Sequence, residues 1–211
     1  MTPIPEDAKP RDPRWAIAYL ELAHGMVMAG AKAKLIERYT HLPHRRVREL
    51  YRALRGDLPP SGPIMQGRAE YFALRTQHTS EAWAIQCGIF LECYERMELI
   101  TSIPLQRGWR LLAAFKVYLG ITEKFSQSTS IRRLDLNQAY ALLAHSAFLI
   151  RTSEAEVKRR RCPVCLIKYP ILASKPINAQ ECPLCTMNTN MQRLSEQGMK
   201  PVRDFQESQT R

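Results

Sequence analysis

The sequence carries Cys162-Pro-Val-Cys165 and, after residues 166–181, Cys182-Pro-Leu-Cys185. Two CxxC pairs at that separation have the spacing of a structural four-cysteine zinc site. A zinc ion takes four soft ligands at tetrahedral corners, and a CxxC turn lets one short loop supply two of them. The proline after the first cysteine of each pair fixes φ within the turn. Cys162, Cys165, Cys182 and Cys185 are therefore the expected ligands of one structural Zn2+ per chain. Disulfides fit less well, because six cysteines serve 211 residues and no secretory signal opens the chain. A redox CxxC is the stronger rival. It needs one pair opening a helix in a βαβ setting, whereas two pairs here lie near the end of a helical chain.

Working outward, 211 residues can bury a real core, enough for one domain plus a small appendage. The formal net charge of +11 points to a polyanion or an acidic protein as partner. No apolar run approaches a membrane span, so the expectation is a soluble, cytoplasmic protein with no membrane contact. His24, His41, His44, His78 and His145 are scattered without a paired carboxylate or serine, and no Gly-rich phosphate loop or HExxH occurs. The expectation is a protein that is not an enzyme.

The fold class expected is mainly α: a helical bundle with a helix-turn-helix-like unit and a small C-terminal four-cysteine zinc module. Residues 1–11 read as a flexible arm, 12–157 as the helical domain, 158–190 as the zinc module and 191–211 as a mobile tail, with polar character from 187. Asp12-Pro13 is a helix start, followed by Trp15, Tyr19, Leu22 and Met26 at helical spacing with Ala16, Leu20, Ala23 and Val27 beside them.

Residues 31–55 are the second informative stretch. A helix is expected over 31–39, broken at Thr40-His41-Leu42-Pro43, and a second over 44–55. On the second, Val47, Leu50, Tyr51 and Leu54 make an apolar stripe. At 100° per residue Arg45, Arg48, Arg52 and Arg55 fall within about 80° of one another, away from that stripe. Two helices around a short turn, the second presenting a basic face, suit a major groove. The competing reading is a solvated surface helix. Glu49 is the one acid in the second helix, which favours nucleic-acid contact.

Beyond the linker Leu58-Pro59-Pro60-Ser61-Gly62-Pro63, a helix over 80–99 aligns Trp83, Cys87, Phe90, Tyr94 and Met97. Cys87 and Cys93 read as structural thiols. A helix over 109–120 aligns Leu111, Phe115 and Tyr118, and residues 121–134 read as irregular. Asp135-Leu-Asn-Gln138 has the form of a capping box. Its helix buries Leu136, Tyr140, Leu143, Ala147 and Ile150, and its continuation ends in Lys158, Arg159, Arg160 and Arg161 beside the first ligand pair. Those four consecutive cations radiate in several directions and suit phosphate contact.

The run Arg48-Glu-Leu-Tyr51-Arg-Ala-Leu-Arg55-Gly56-Asp-Leu-Pro59-Pro60-Ser-Gly62, with Tyr71-Phe72 after it, resembles a segment of the FlhC family. The two CxxC pairs resemble that family's zinc cluster in number, gap and position, and the likeness covers about residues 15–190. It implies a C subunit of the bacterial flagellar master activator. Such a subunit joins an FlhD-type subunit in a hetero-oligomer, binds double-stranded DNA at flagellar promoters and works with RNA polymerase. It also implies the same four cysteines as ligands. Leu166 and Ile167 stand where the family tends to have glycine, and the N-terminal arm is extended. Two other classes share features of the chain. A zinc-stabilised RNA- or ribosome-binding module would show aromatics among its basic residues, and a thiol oxidoreductase would need one reactive cysteine rather than four saturated ligands.

Overall fold

The computed structural model describes residues 13–62, 64, 69–73, 81–100, 107–126, 133–146, 148, 154–176 and 181–196. Pro13 opens α1 (Pro13–Met28), in keeping with its fixed φ and missing N–H. The expected cap Asp12 and the side chain of Trp15 lie outside the described residues. Tyr19, Leu22, Ala23, Met26 and Val27 are buried, whereas Leu20 is 40% exposed and lies off that stripe.

After α1, α2 (Ala33–Thr40) and α3 (His44–Arg55) follow in quick succession. His41 stops α2 by taking φ 55, and its N–H donates to Glu37 O. Pro43 then sets the extended backbone from which α3 departs. Gly56 ends α3 at φ 72, a left-handed cap that glycine adopts without strain. Leu35, Ile36, Val47 and Tyr51 turn inward to α1, and the Tyr51 hydroxyl donates to Ala31 O.

Next come α4 (Glu70–Ala73), α5 (Glu81–Ile100), α6 (Arg107–Ser126) and α7 (Leu136–Ala144). Phe72, Phe90, Leu91, Tyr94, Leu111, Leu112, Phe115, Tyr118 and the length of α7 join the first three helices in one core. Tyr118 carries its hydroxyl inside by donating to Gln86 Oε1 (2.7 Å) and accepting the Leu134 N–H (2.9 Å), and burial pushes its pKa up to about 12. Cys87 and Cys93 are buried core thiols, pushed up by desolvation.

Helix α6 continues to Ser126, into the stretch 121–134 that was expected to be irregular. Thr122 is buried, and its hydroxyl returns to Tyr118 O at 2.8 Å, so its polarity is satisfied inside the helix. The capping box is present in full: Gln138 N–H donates to Asp135 Oδ1 (2.8 Å), and Asp135 N–H donates to Gln138 Oε1 (2.9 Å). Beside it, Asn137 accepts the Lys32 N–H at 2.8 Å and donates to Gly30 O at 3.2 Å, tying α7 to the turn between α1 and α2. Ala147 and Ile150, expected on this helix, lie outside the described residues.

The helix does not continue to Arg161. Lys158 to Arg161 instead form most of β1 (Val157–Arg161), paired antiparallel with β2 (Lys168–Leu172) so that Val157 faces Leu172 and Arg161 faces Lys168. Val157 and Leu172 enter the main core. The hairpin lies directly on α5 at Gly88, where an added Cβ would stand 2.9 Å from Lys168 O. Residues expected in the polar tail are partly helical, since α8 (Pro183–Glu196) continues past 191. Among the described residues no helix is long and apolar enough to cross a membrane.

Candidate metal centre and basic surfaces

The end of β1 folds back into a tight turn. Cys162 N–H donates to Ile167 O (2.9 Å), and Leu166 N–H donates to Cys162 O (3.1 Å). Leu166 closes the turn at φ 62, in the left-handed region, at the position where the resemblance led one to look for glycine. The second pair is placed differently: Cys182 precedes α8 and Cys185 sits in its first turn. The four Sγ atoms all lie within 4.8 Å of one another, with Cys162 and Cys185 at 3.7 Å and Cys165 and Cys182 at 3.5 Å. A tetrahedron of thiolates at about 2.3 Å from one ion has edges of about 3.8 Å. The donor set therefore fits a metal ion and is compatible with zinc, with all four corners filled by protein sulfur.

The electrostatics of the cluster follow from this crowding. Cys162 receives the Cys165 and Val164 N–H groups, and its thiol is drawn down to about 6. Cys185 lies against the other thiols, Cys165 first, and is pushed up to about 12. Burial raises Cys182. A bound divalent cation holds such a set in its thiolate form. Tyr169, Ile171, Ile167 and Leu184 pack around the sulfurs as a small second core. A redox pair would need no such convergence of four thiols.

On α3, Val47 and Tyr51 are buried while Arg45, Arg48, Arg52 and Arg55 are exposed. Their roles differ. Arg45 pairs with Glu49 at 3.1 Å, and Arg55 reaches back to Val27 O at 3.3 Å. Arg46 also holds Glu49, at 3.0 Å, and these bonds keep that carboxylate below the usual range. Among the described residues the side chains of Arg48 and Arg52 have no hydrogen-bond or ion-pair partner, so the centre of the basic face is the least engaged.

The cations of β1 do not radiate as consecutive helical residues would. A strand sends alternate side chains to opposite faces. Lys158 and Arg161 are exposed, while Arg160 is half-buried. The Arg159 side chain is only 16% exposed and forms ion pairs with Glu92 (3.3 Å) and Glu95 of α5. Lys168 joins the same carboxylates at 3.4 and 2.9 Å. Arg159 is thus engaged with α5 rather than standing free at the surface. Glu92, Glu95 and Lys168 were not singled out from the sequence. The signal available was a pair of acids three residues apart, hence on one face of α5.

No curated protein matches the chain. The family model described as the flagellar transcriptional activator FlhC matches residues 16–197. That span includes most of α1, all of α2 and α3, the helical core and all four cysteines, and on it the chain belongs to the FlhC family of flagellar transcriptional activators.

Proposed function

We propose that the chain is the DNA-binding C-type subunit of a flagellar activator, that it works in a hetero-oligomer with an FlhD-type subunit, and that it binds flagellar promoters for RNA polymerase. The observation that carries the DNA reading is α3: a helix seated on α1 by Val47 and Tyr51, with Arg45, Arg48, Arg52 and Arg55 outward. A helix held by one face and cationic on the other can lie in a major groove, with the two central arginines nearest the base edges. Lys158, exposed on the hairpin, suits phosphate contact, which positions without reading. The four cysteines hold one Zn2+ that fixes the hairpin and α8, a structural rather than catalytic role.

Gel shifts test the division of labour. Arg48→Ala or Arg52→Ala lowers affinity for a flagellar promoter by about 1–3 kcal/mol and affects scrambled duplex much less. Lys158→Ala weakens both duplexes alike and lowers the salt slope by roughly 0.9, the share of one neutralised phosphate. An unchanged specific-to-scrambled ratio in both arginine variants would remove α3 as the reading element.

A further inference from the structure

A groove beside the metal centre involves neither α3 nor the four clustered thiols. It encloses about 690 Å³ between α5, α6 and the turn after Cys165. Its α5 wall runs from Gly88 to Met97, about 14 Å at 1.5 Å per residue, or about two and a half turns. The lining is apolar at Ile89, Met97, Val117, Ile121 and Leu166. Val117 and Ile121, stacked at i and i+4 on α6, are 41% and 43% exposed, and Leu166 is 57% exposed. Leu166 also holds a backbone conformation that favours glycine, so a branched apolar side chain stands in water at a strained position.

The charges on the lining are uneven: Arg96, Arg161 and Lys168 stand against Glu92, and although Glu92 holds Arg96 and Glu95 holds Lys168 from beside the groove, Arg161 has no carboxylate partner among the described residues. An occupant with acidic edges is favoured. The chain's own ends do not qualify. Residues 197–211 hold Lys200, Arg203 and Arg211 against Asp204 and Glu207. Residues 1–12 carry Pro3, Pro5 and Pro10, which interrupt a helix. We propose that this groove docks one amphipathic helix of a partner chain, apolar at i, i+3, i+4 and i+7 and acidic along its edges. The site goes beyond the DNA reading, because no residue of α3 takes part.

The probe is a labelled synthetic peptide of about 18 residues, long enough to form a helix in water, with leucines at those positions and glutamates at the edges. Fluorescence anisotropy with the full, zinc-loaded chain gives binding at least tenfold tighter than for a scrambled peptide or one with lysine edges. Val117→Glu with Ile121→Glu reduces that affinity at least tenfold. Leu166→Gly, which suits the turn, reduces it several-fold while circular dichroism, metal content and the promoter gel shift stay unchanged. Equal binding of the scrambled peptide, or an undiminished affinity in the Val117/Ile121 variant, overturns the proposal. Self-association that the same double variant abolishes overturns it too, by assigning the groove to a second copy.

Discussion

Replacing Gly88 by alanine tests whether the hairpin and the helical core are one packed body. In a helix interior the exchange alone stabilises by about 0.5–1 kcal/mol, because alanine loses less backbone freedom on folding. At Gly88 the new Cβ would meet Lys168 O at 2.9 Å, Tyr169 Cα at 3.6 Å and Pro170 Cδ at 3.6 Å. Two of those atoms are backbone, so no side-chain rotation relieves the clash. The β2 strand must withdraw from α5, loosening the Lys168 and Arg159 ion pairs to Glu92 and Glu95 as it goes. Overpacking of this kind costs about 1–3 kcal/mol, which outweighs the helical gain. With about 2–4 °C per kcal/mol for a chain of this size, Gly88→Ala melts several degrees lower. Gly120→Ala is the control: it lies on α6 with nothing within 4 Å of the added Cβ, and it melts about 1–4 °C higher. Thermal melts by circular dichroism with zinc present compare the two. If Gly88→Ala is stabilised as much as Gly120→Ala, the hairpin does not rest on α5 as described.

Three further outcomes follow from the same geometry. Metal analysis of protein purified without chelator finds about one zinc per chain, and Cys162→Ser or Cys185→Ser lowers both metal content and melting temperature, since a structural zinc site contributes on the order of 10 kcal/mol; unchanged melting refutes the structural role. Burial raises the Glu92 and Glu95 carboxyls, but their bonds and charges with Arg96, Arg159 and Lys168 outweigh it and hold both below the usual range. Their stabilisation is present above the unfolded carboxyl pKa and lost as pH falls through the lower folded value, so the melting gap between the native chain and Glu95→Gln shrinks toward acid; a gap independent of pH contradicts the pairing. Asp135→Ala, which removes the α7 cap, destabilises by about 0.5–2 kcal/mol in denaturant titration, and a neutral result removes the capping box as a determinant of that helix.

The parts of the fold legible in the sequence are those set by local chemistry. Helix α3 is bounded as expected because Pro43 and Gly56 punctuate it, and α7 starts where Asp135 and Gln138 can cap each other. The thiol cluster was equally legible, since spacing alone restricts where four ligands can meet. The hairpin was not. Lys158 to Arg161 show no polar–apolar alternation, and Pro170 within β2 argues against a strand. It is tolerated because, among the described residues, the sheet has two strands and β2 is an edge. Helix α8 was hidden by its polar residues, Asn188, Thr189 and Asn190, which are poor helix formers. Thr189 reaches Cys185 O at 3.0 Å, and the thiol core holds the first turn. The engagement of Arg159 depends on carboxylates 67 residues away for Glu92, a distance that no local pattern reports.

The Asn137 amide gives the chain an order of assembly. Its two bonds to Lys32 and Gly30 span 105 and 107 residues. As the chain is synthesised from its N-terminus, α1, α2 and α3 emerge long before the residue that completes their first turn. Until α7 docks, the Lys32 N–H and the Gly30 carbonyl keep their water, and the basic helix rests on an unfinished support. Closing so long a loop is slow compared with forming the helices themselves. The support beneath the surface proposed for DNA is thus complete only after residue 137 has been made and docked.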